Sequence, residues 1–402
     1  MFTAAAIQQY FASIEEDLIR WRRHLHAHPE LSFHEVETAA FIAEQARALG
    51  LEPRTGVGGN GVVIDLESSD PQGPHISLRA DIDALPITEK TGLPYASEND
   101  GVMHACGHDI HTTSLLGAMR FFAEHRADVP GSLRLIFQPA EEKLPGGAQA
   151  MIADGVLRDP APTAVLGQHI NPDLPVGSVG FIAGQFMASV DDFHVTVTGK
   201  GGHAAHPEEL VDPVVIAAHI ITALQTVVSR SAPRSVPTAL SIGKVEARGA
   251  TNIIPDTARM DGTFRTTDES WRPRAHELIE HVATGVAASL GGTAELEIEH
   301  GYPSLANNPS LTSQARSYAQ EYLGADKVVD LPMTMGAEDF AYYAQAAPGC
   351  FYNLGITDYA AESNPPPLHS PRLAPSEASL TVGAGLLTWL ALRTLQEARG
   401  AA

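Results

Sequence analysis

Between residues 188 and 300 the chain changes its pattern, and that change constrains the fold more than any other feature. Residues 190–199 (VDDFHVTVTG) alternate apolar and polar positions as a half-exposed strand does. A long apolar helical stretch follows at about 212–229, then two strand-like runs at 238–245 and 258–265. A helical stretch covers about 269–289, and residues 293–299 (TAELEIE) alternate again. The order β-α-β-β-α-β is that of the split βαβ, ferredoxin-like unit.

This block interrupts a different pattern. Residues 7–25 place Ile14, Leu18, Trp21 and Leu25 on one side of a helix, which Pro29 ends. Runs at 61–67 (GVVIDLE) and 75–79 (HISLR) read as short strands bounded by Gly and Pro. Helical patterns around 111–125 and 146–154 flank a strand at 133–138 (LRLIFQ). After residue 300 the alternation of helix and strand resumes, and the last helix covers about 376–397. The expectation is an α/β, two-domain chain. A helix-covered mixed sheet is built from residues 1–187 and 301–402, and an α+β domain at 188–300 is inserted into it. There is no internal repeat, and the one biased tract is proline at 365–367.

Composition narrows the function classes. The 402 residues are 44% hydrophobic, enough for a sizeable core. Lys and Arg number 26 against 48 Asp and Glu, a formal net charge of −22. With no basic cluster, a nucleic-acid partner is not expected. The only cysteines are Cys106 and Cys350, so disulfides do not organise the fold. The N-terminal residues lack a signal-peptide pattern, and no run of about 18 uncharged apolar residues predicts a membrane span. A soluble, cytoplasmic protein is expected.

Residues 103–112 (MHACGHDIHT) carry the strongest chemical signal. Cys106, His108, Asp109 and His111 fall within six positions, beside His104. Cys106 and His108, two apart, can face one side of an extended turn, and thiolate, imidazole and carboxylate are zinc-type ligands. A Cys–His nucleophile pair and a histidine-rich surface loop are the alternatives. Glu141 and Glu142 in residues 138–142 (QPAEE) follow a strand directly. In extended chain the two side chains point apart, so one can ligate a metal while the other accepts a proton from water. His169 follows the apolar run 164–167 and is placed at a strand end. His369 lies in PPPLHSP, a loop stiffened by proline. Together these side chains suffice for two metals. His24, His26, His28, His104 and His111 are expected to serve structure, Met333 and Met335 to pack, and Cys350 to be a core thiol.

The sequence resembles the amidohydrolase branch of the aminoacylase/carboxypeptidase metallopeptidase superfamily, which includes hippurate hydrolases, auxin-conjugate hydrolases and N-acetyl-amino-acid deacetylases. The resemblance covers nearly the whole chain through HPELSF at 28–33, RADIDALP at 79–86, MHACGHDIHTTSLLG at 103–117 and FQPAEE at 137–142. It continues through GKGGHAAHP at 199–207, TNIIPD at 251–256, GTFRT at 262–266, MGAEDFA at 335–341 and LHSP at 368–371.

The resemblance implies that Cys106 bridges two divalent metals, with His108, Glu142, His169 and His369 as the other ligands. Manganese or zinc is expected first, and the ligand types also admit cobalt or nickel. It implies Glu141 as general base, Asp83 as a carboxylate that orients a ligand, and His203 as a lid-domain histidine reaching the substrate carbonyl across a homodimer. Asn252 and Arg265 would grip the substrate's carboxylate. The implied substrate is an N-acyl amino acid and the implied reaction is amide hydrolysis. The alternatives are a dipeptidase or carboxypeptidase of the same superfamily, and a catalytically silent binding protein. Three departures bear on substrate identity. KLP at 143–145 replaces a glycine run, His206 stands where Met is common, and Asn171 stands where an aromatic is common.

Overall fold

The computed structural model describes residues 2–67, 73–358 and 364–400. The chain forms two compact units. One comprises Met1–Phe186, Ala306–Met333 and Asp339–Ala402; the other comprises Met187–Leu305 and Thr334–Glu338.

The first unit is built on an eight-stranded mixed sheet. Its order is Pro53–Val57, Gly61–Leu66, Ser132–Gln138, His75–Asp81, Ala164–Pro175, Gly349–Thr357, Val179–Phe181 and Val328–Asp330. The four middle strands from Ser132–Gln138 to Gly349–Thr357 pair in parallel, so their C-terminal ends share one edge. Such strands are covered on both faces, which is why His75–Asp81 is buried at every position. On one face lie the helices His108–Glu124 and Ser379–Gly400. Gly117 lets these two approach, because a Cβ there would meet the Ala384 Cβ at 2.9 Å and the Leu18 Cδ2 at 3.0 Å.

Several boundaries differ from expectation. The N-terminal helix is two helices, Ala4–Ser13 and Glu15–Ala27, broken at Ile14, whose φ of −114° is not helical. Phe11, Ile14 and Leu18 all stay buried, so the apolar stripe runs through the break and hides it from a pattern reading. A helix at Val36–Ala48 follows, and the helix expected around 111–125 starts at His108, so the metal-type motif runs into its first turn. The last helix begins at Ser379, because Ser376 closes a turn onto the Ser379 N–H and hydroxyl.

The second unit is a four-stranded antiparallel sheet in the order Thr238–Glu246, Thr257–Thr266, Ser189–Thr198, Thr293–His300. In sequence terms the order is second, third, first, fourth, the ferredoxin-like arrangement. One face is the core: Phe193, Val195, Val197, Met260 and Phe264 meet Ile216, Ile220, Leu224, Ile279 and Ala283 from the two helices. Each large side chain buried there contributes roughly 1.5–3 kcal/mol. Asp212 caps the first helix, accepting from the Val214 and Val215 N–H groups before Pro213 at its first position. With its π turn, that helix spans Pro213–Ser231. It is the one helix among the described residues long and apolar enough to cross a membrane by composition, although its Ile216, Ile220 and Leu224 face is occupied by this core.

Candidate metal centre

At the shared C-terminal edge of the parallel strands the chain delivers Asp81 and, just beyond, Asp83. Asp83 is buried and accepts three hydrogen bonds. Oδ1 takes one from His108 Nδ1 at 3.2 Å, and Oδ2 takes the Ser32 hydroxyl at 2.6 Å and the Glu142 N–H at 3.0 Å. These bonds outweigh the cost of burial and hold its pKa below the usual carboxylate value. Next door, the chain leaving Ser132–Gln138 turns at Ala140, which has φ 54°. Glu35 secures that turn by accepting the Ala140 N–H at 2.8 Å and the Asn60 amide at 3.0 Å. Glu141 is therefore buried and Glu142 part-buried, in a bend and not in extended chain.

Cys106 and His108 are likewise not in an extended turn. Gly107 between them has φ 78°, and a Cβ there would lie 2.2 Å from the Ile170 Cδ1. Only glycine allows the loop to close on that strand while the helix begins at His108. His169 sits within Ala164–Pro175, not at its end, because the strand continues alongside Gly349–Thr357 with His169 opposite Asn353. His369 is held by its N–H on the Ala105 carbonyl at 2.8 Å, with φ 63°.

The structure brings Cys106, His108, Glu141, Glu142, His169 and His369 together. Cys106 Sγ is 3.4 Å from His169 Nε2, and Glu142 Oε1 is 3.4 Å from His369 Nε2 and 3.8 Å from His108 Nε2. Ligand atoms around a tetrahedral zinc-type ion are spaced by about 3.3–3.8 Å. Two three-ligand groups share Cys106. One is Cys106, His108 and His169; the other is Cys106, Glu142 and His369. Within each, all ligand atoms lie within 4.8 Å of one another. His108 Nε2 and Glu142 Oε1 are buried and make no hydrogen bond. Two such atoms facing each other are costly unless a cation satisfies both, so the donor set fits a metal pair.

Second bonds aim the ligands. His169 Nδ1 donates to the Ile170 carbonyl at 2.7 Å and His108 Nδ1 to Asp83, which leaves both Nε2 lone pairs for a metal. Burial opposes a charge on His108, but Asp81, Asp83 and Glu142 raise its pKa to about 10. Burial, then the carboxylates of Glu142 and Glu141, push the Cys106 thiol well above its ordinary value. Protons and metal cations thus compete for the same electron pairs.

Other residues of the motif do different work. His111 is neutral and fully engaged, because Nδ1 donates to Asp81 Oδ1 at 2.6 Å and Nε2 accepts the Ile170 N–H at 2.8 Å. Asp109 turns away to receive Arg22 and His26, each at 2.8 Å. His104 is buried and Cys350 is a core thiol. Sequence reading assigned no role to Arg79, Asp81, Asp339 or Glu35. Arg79 donates to Asp81, Gln138 and Asp339 behind the ligands, all of them buried. The signal was present: a charged residue inside a fully buried strand must be paired.

In the second unit, His203 and Asn252 are brought together. The two-residue strand Gly202–His203 pairs with Ile253–Ile254, and the Ala204 N–H donates to the Asn252 carbonyl at 3.1 Å. Both side chains are exposed, as is His206, whose ring lies 5.6 Å from that of His203. Arg265 is part-buried on the Thr257–Thr266 strand and donates to the Met335 carbonyl at 2.9 Å. Of the other departures, Lys143 is exposed next to Glu142, and Asn171 donates to the Asn353 side chain at 3.1 Å.

The pattern of peptidase family M20/M25/M40 matches residues 77–393. An N-acetyl-L-cysteine deacetylase of Bacillus subtilis (strain 168) is 42% identical over 344 residues, 86% of this chain and 81% of that protein. Thermostable carboxypeptidase 1 of Saccharolobus solfataricus is 37% identical over 373 residues, 92% and 93% of the two chains. A Bacillus subtilis crystal structure described as a dinuclear metal binding peptidase from the M20 family superposes with a TM-score of 0.82 at 37% identity, covering 96% of this chain and 99% of that one. The chain belongs to peptidase family M20/M25/M40. Within it, the chain is a hydrolytic enzyme of the amidohydrolase kind, acting on amide bonds.

Asp83→Ala tests how the ligands are aimed. Without that carboxylate His108 loses its orientation and the Glu142 backbone its anchor, so competition with a chelator should show metal affinity lower by about 10–100-fold. Unchanged affinity would mean that His108 is fixed by other contacts.

Proposed function

We propose that this enzyme hydrolyses N-acyl amino acids to a carboxylic acid and a free amino acid. The observation that carries the reading is the Cys106 thiol shared between two ligand groups, with buried Glu141 beside them. Cys106, His108, Glu142, His169 and His369 would hold two divalent metals, manganese or zinc first, with cobalt or nickel also suited to these donors. Metals so placed supply Lewis acidity and make water nucleophilic at neutral pH.

Glu141 then takes a proton from the attacking water and returns it to the leaving nitrogen. Asp83 holds His108 and the Glu142 backbone still throughout. The family resemblance gives His203 the task of donating to the developing oxyanion, a contribution worth about 3–4 kcal/mol, and makes the enzyme a homodimer in which that donor comes from the second subunit. It gives Asn252 and Arg265 the substrate's α-carboxylate, which a guanidinium fork suits. Similarity to a named N-acetyl-L-cysteine deacetylase supports this reading. A carboxypeptidase reading is favoured by the relative of that name and differs in needing a peptide substrate. A silent binding protein is disfavoured by the family membership and by the intact Glu141.

Substrate comparison tests the reading. An N-acetyl amino acid should be hydrolysed with much higher kcat/KM than its methyl ester, because a charge-assisted bond to the free carboxylate is worth about 1.5–3 kcal/mol, roughly ten- to a hundredfold. Equal rates for the capped and free forms would contradict the carboxylate assignment, and a preference for dipeptides would favour the peptidase reading.

The two glutamates should separate cleanly. Glu141→Gln keeps shape but accepts no proton, so kcat should fall by about 10²–10⁴-fold with metal retained. Glu142→Gln should instead lose metal. Exchange of the two phenotypes would reverse the assignment.

A further inference from the structure

The exposed large hydrophobic side chains described in the first unit are concentrated in one place. Among the described residues, seven large hydrophobics are exposed, and five of these (Val214, Val215, Val245, Ile253 and Leu290) belong to the second unit. The two in the first unit are Phe33 at 40% and Val36 at 58%, three positions apart. Phe33 is also strained. Its φ is 70°, the left-handed region that a bulky aromatic rarely adopts. Glycine or asparagine would adopt that conformation at lower cost, and a ring that stays 40% exposed returns only part of its hydrophobic gain for the strain.

The neighbours of Phe33 explain how the conformation is held. Ser32 donates its hydroxyl to Asp83, the carboxylate that orients His108. Glu35 accepts both the Phe33 N–H at 2.9 Å and the Ala140 N–H that precedes Glu141. Phe33 therefore stands between two residues that each grip a different segment of the metal centre, and its own backbone is tied to one of them. Strain over-determined by its surroundings in this way is typical of ligand-contacting positions.

We propose that Phe33, with Val36 beside it, is the apolar contact for the acyl group of the substrate and sets the preference for aromatic or long-chain acyl groups over acetyl. The inference rests on the reading of the enzyme as an N-acyl amino acid hydrolase. The acyl group is bonded directly to the carbonyl carbon that reacts at the metal centre. Ser32 and Glu35 tie the Phe33 segment to the loops of that centre, and its apolar surface is the one we set against the acyl group.

The experiment measures kcat/KM for the N-acetyl and N-benzoyl forms of one amino acid with the metal-loaded enzyme, for wild type, Phe33→Asn and Phe33→Tyr. Thermal unfolding of each is followed in parallel. Asparagine tolerates the positive φ while removing the ring, so Tm should hold or rise while the benzoyl-to-acetyl ratio of kcat/KM falls about tenfold. Tyrosine restores the ring and should restore the ratio. An unchanged ratio in Phe33→Asn overturns the inference, as does a wild-type enzyme that accepts N-acetyl but not N-benzoyl substrates; both leave the parent reading standing. A fall in Tm with the ratio unchanged assigns Phe33 to packing instead. No hydrolysis of either substrate by the wild type overturns the parent reading, and this inference with it.

Discussion

Asp83 is the carboxylate on which the metal centre depends. Three segments distant in sequence meet on its two oxygens: Ser32 from the N-terminal loop, His108 from the start of a helix, and the Glu142 backbone from the turn after a strand. Ser32 and Glu142 lie in irregular chain and His108 is the first residue of its helix, so packing alone would not fix them to the tolerance that metal ligands need. A buried carboxylate accepting three hydrogen bonds across both oxygens does so, and burial in turn demands that those oxygens be satisfied.

Behind Asp83 lies a second layer of paired charge. Arg79 crosses from Asp81 to Asp339, and Asp81 passes the constraint to His111, whose far nitrogen accepts the Ile170 N–H beside His169. Two histidines of one motif thus have opposite tasks for a physical reason. His108 keeps Nε2 free of hydrogen bonds, while His111 has both nitrogens committed. A chain with a net charge of −22 gathers several carboxylates here, and a cation is what the donor atoms left without partners require.

Much of this was legible in the residues. The βαββαβ order at 188–300 was readable because its first and last strands alternate, two strand-like runs lie between them, and two helical stretches separate the set. Cys106 with His108, and Glu141 with Glu142, stood out through short spacing within motifs, whereas His169 and His369, which the structure places beside them, lie far off in sequence and were assigned as ligands through the resemblance. The break at Ile14 was not, because Phe11, Ile14 and Leu18 keep one stripe across it. The strand position of His169 was hidden because its continuation depends on pairing with Gly349–Thr357, far along the chain. Glu35 and Ala140 escaped because a positive φ at alanine has no sequence signature and needs a carboxylate from another segment to hold it.

The central claim is that Cys106 belongs to two metal sites at once. Metal content measured per chain after reconstitution, for wild type and for Cys106→Ala and His369→Ala, tests it most directly. Two equivalents are expected in the wild type, about one in His369→Ala because only one group loses a ligand, and less than one in Cys106→Ala because both groups do. A Cys106→Ala enzyme that still binds two equivalents would contradict the account.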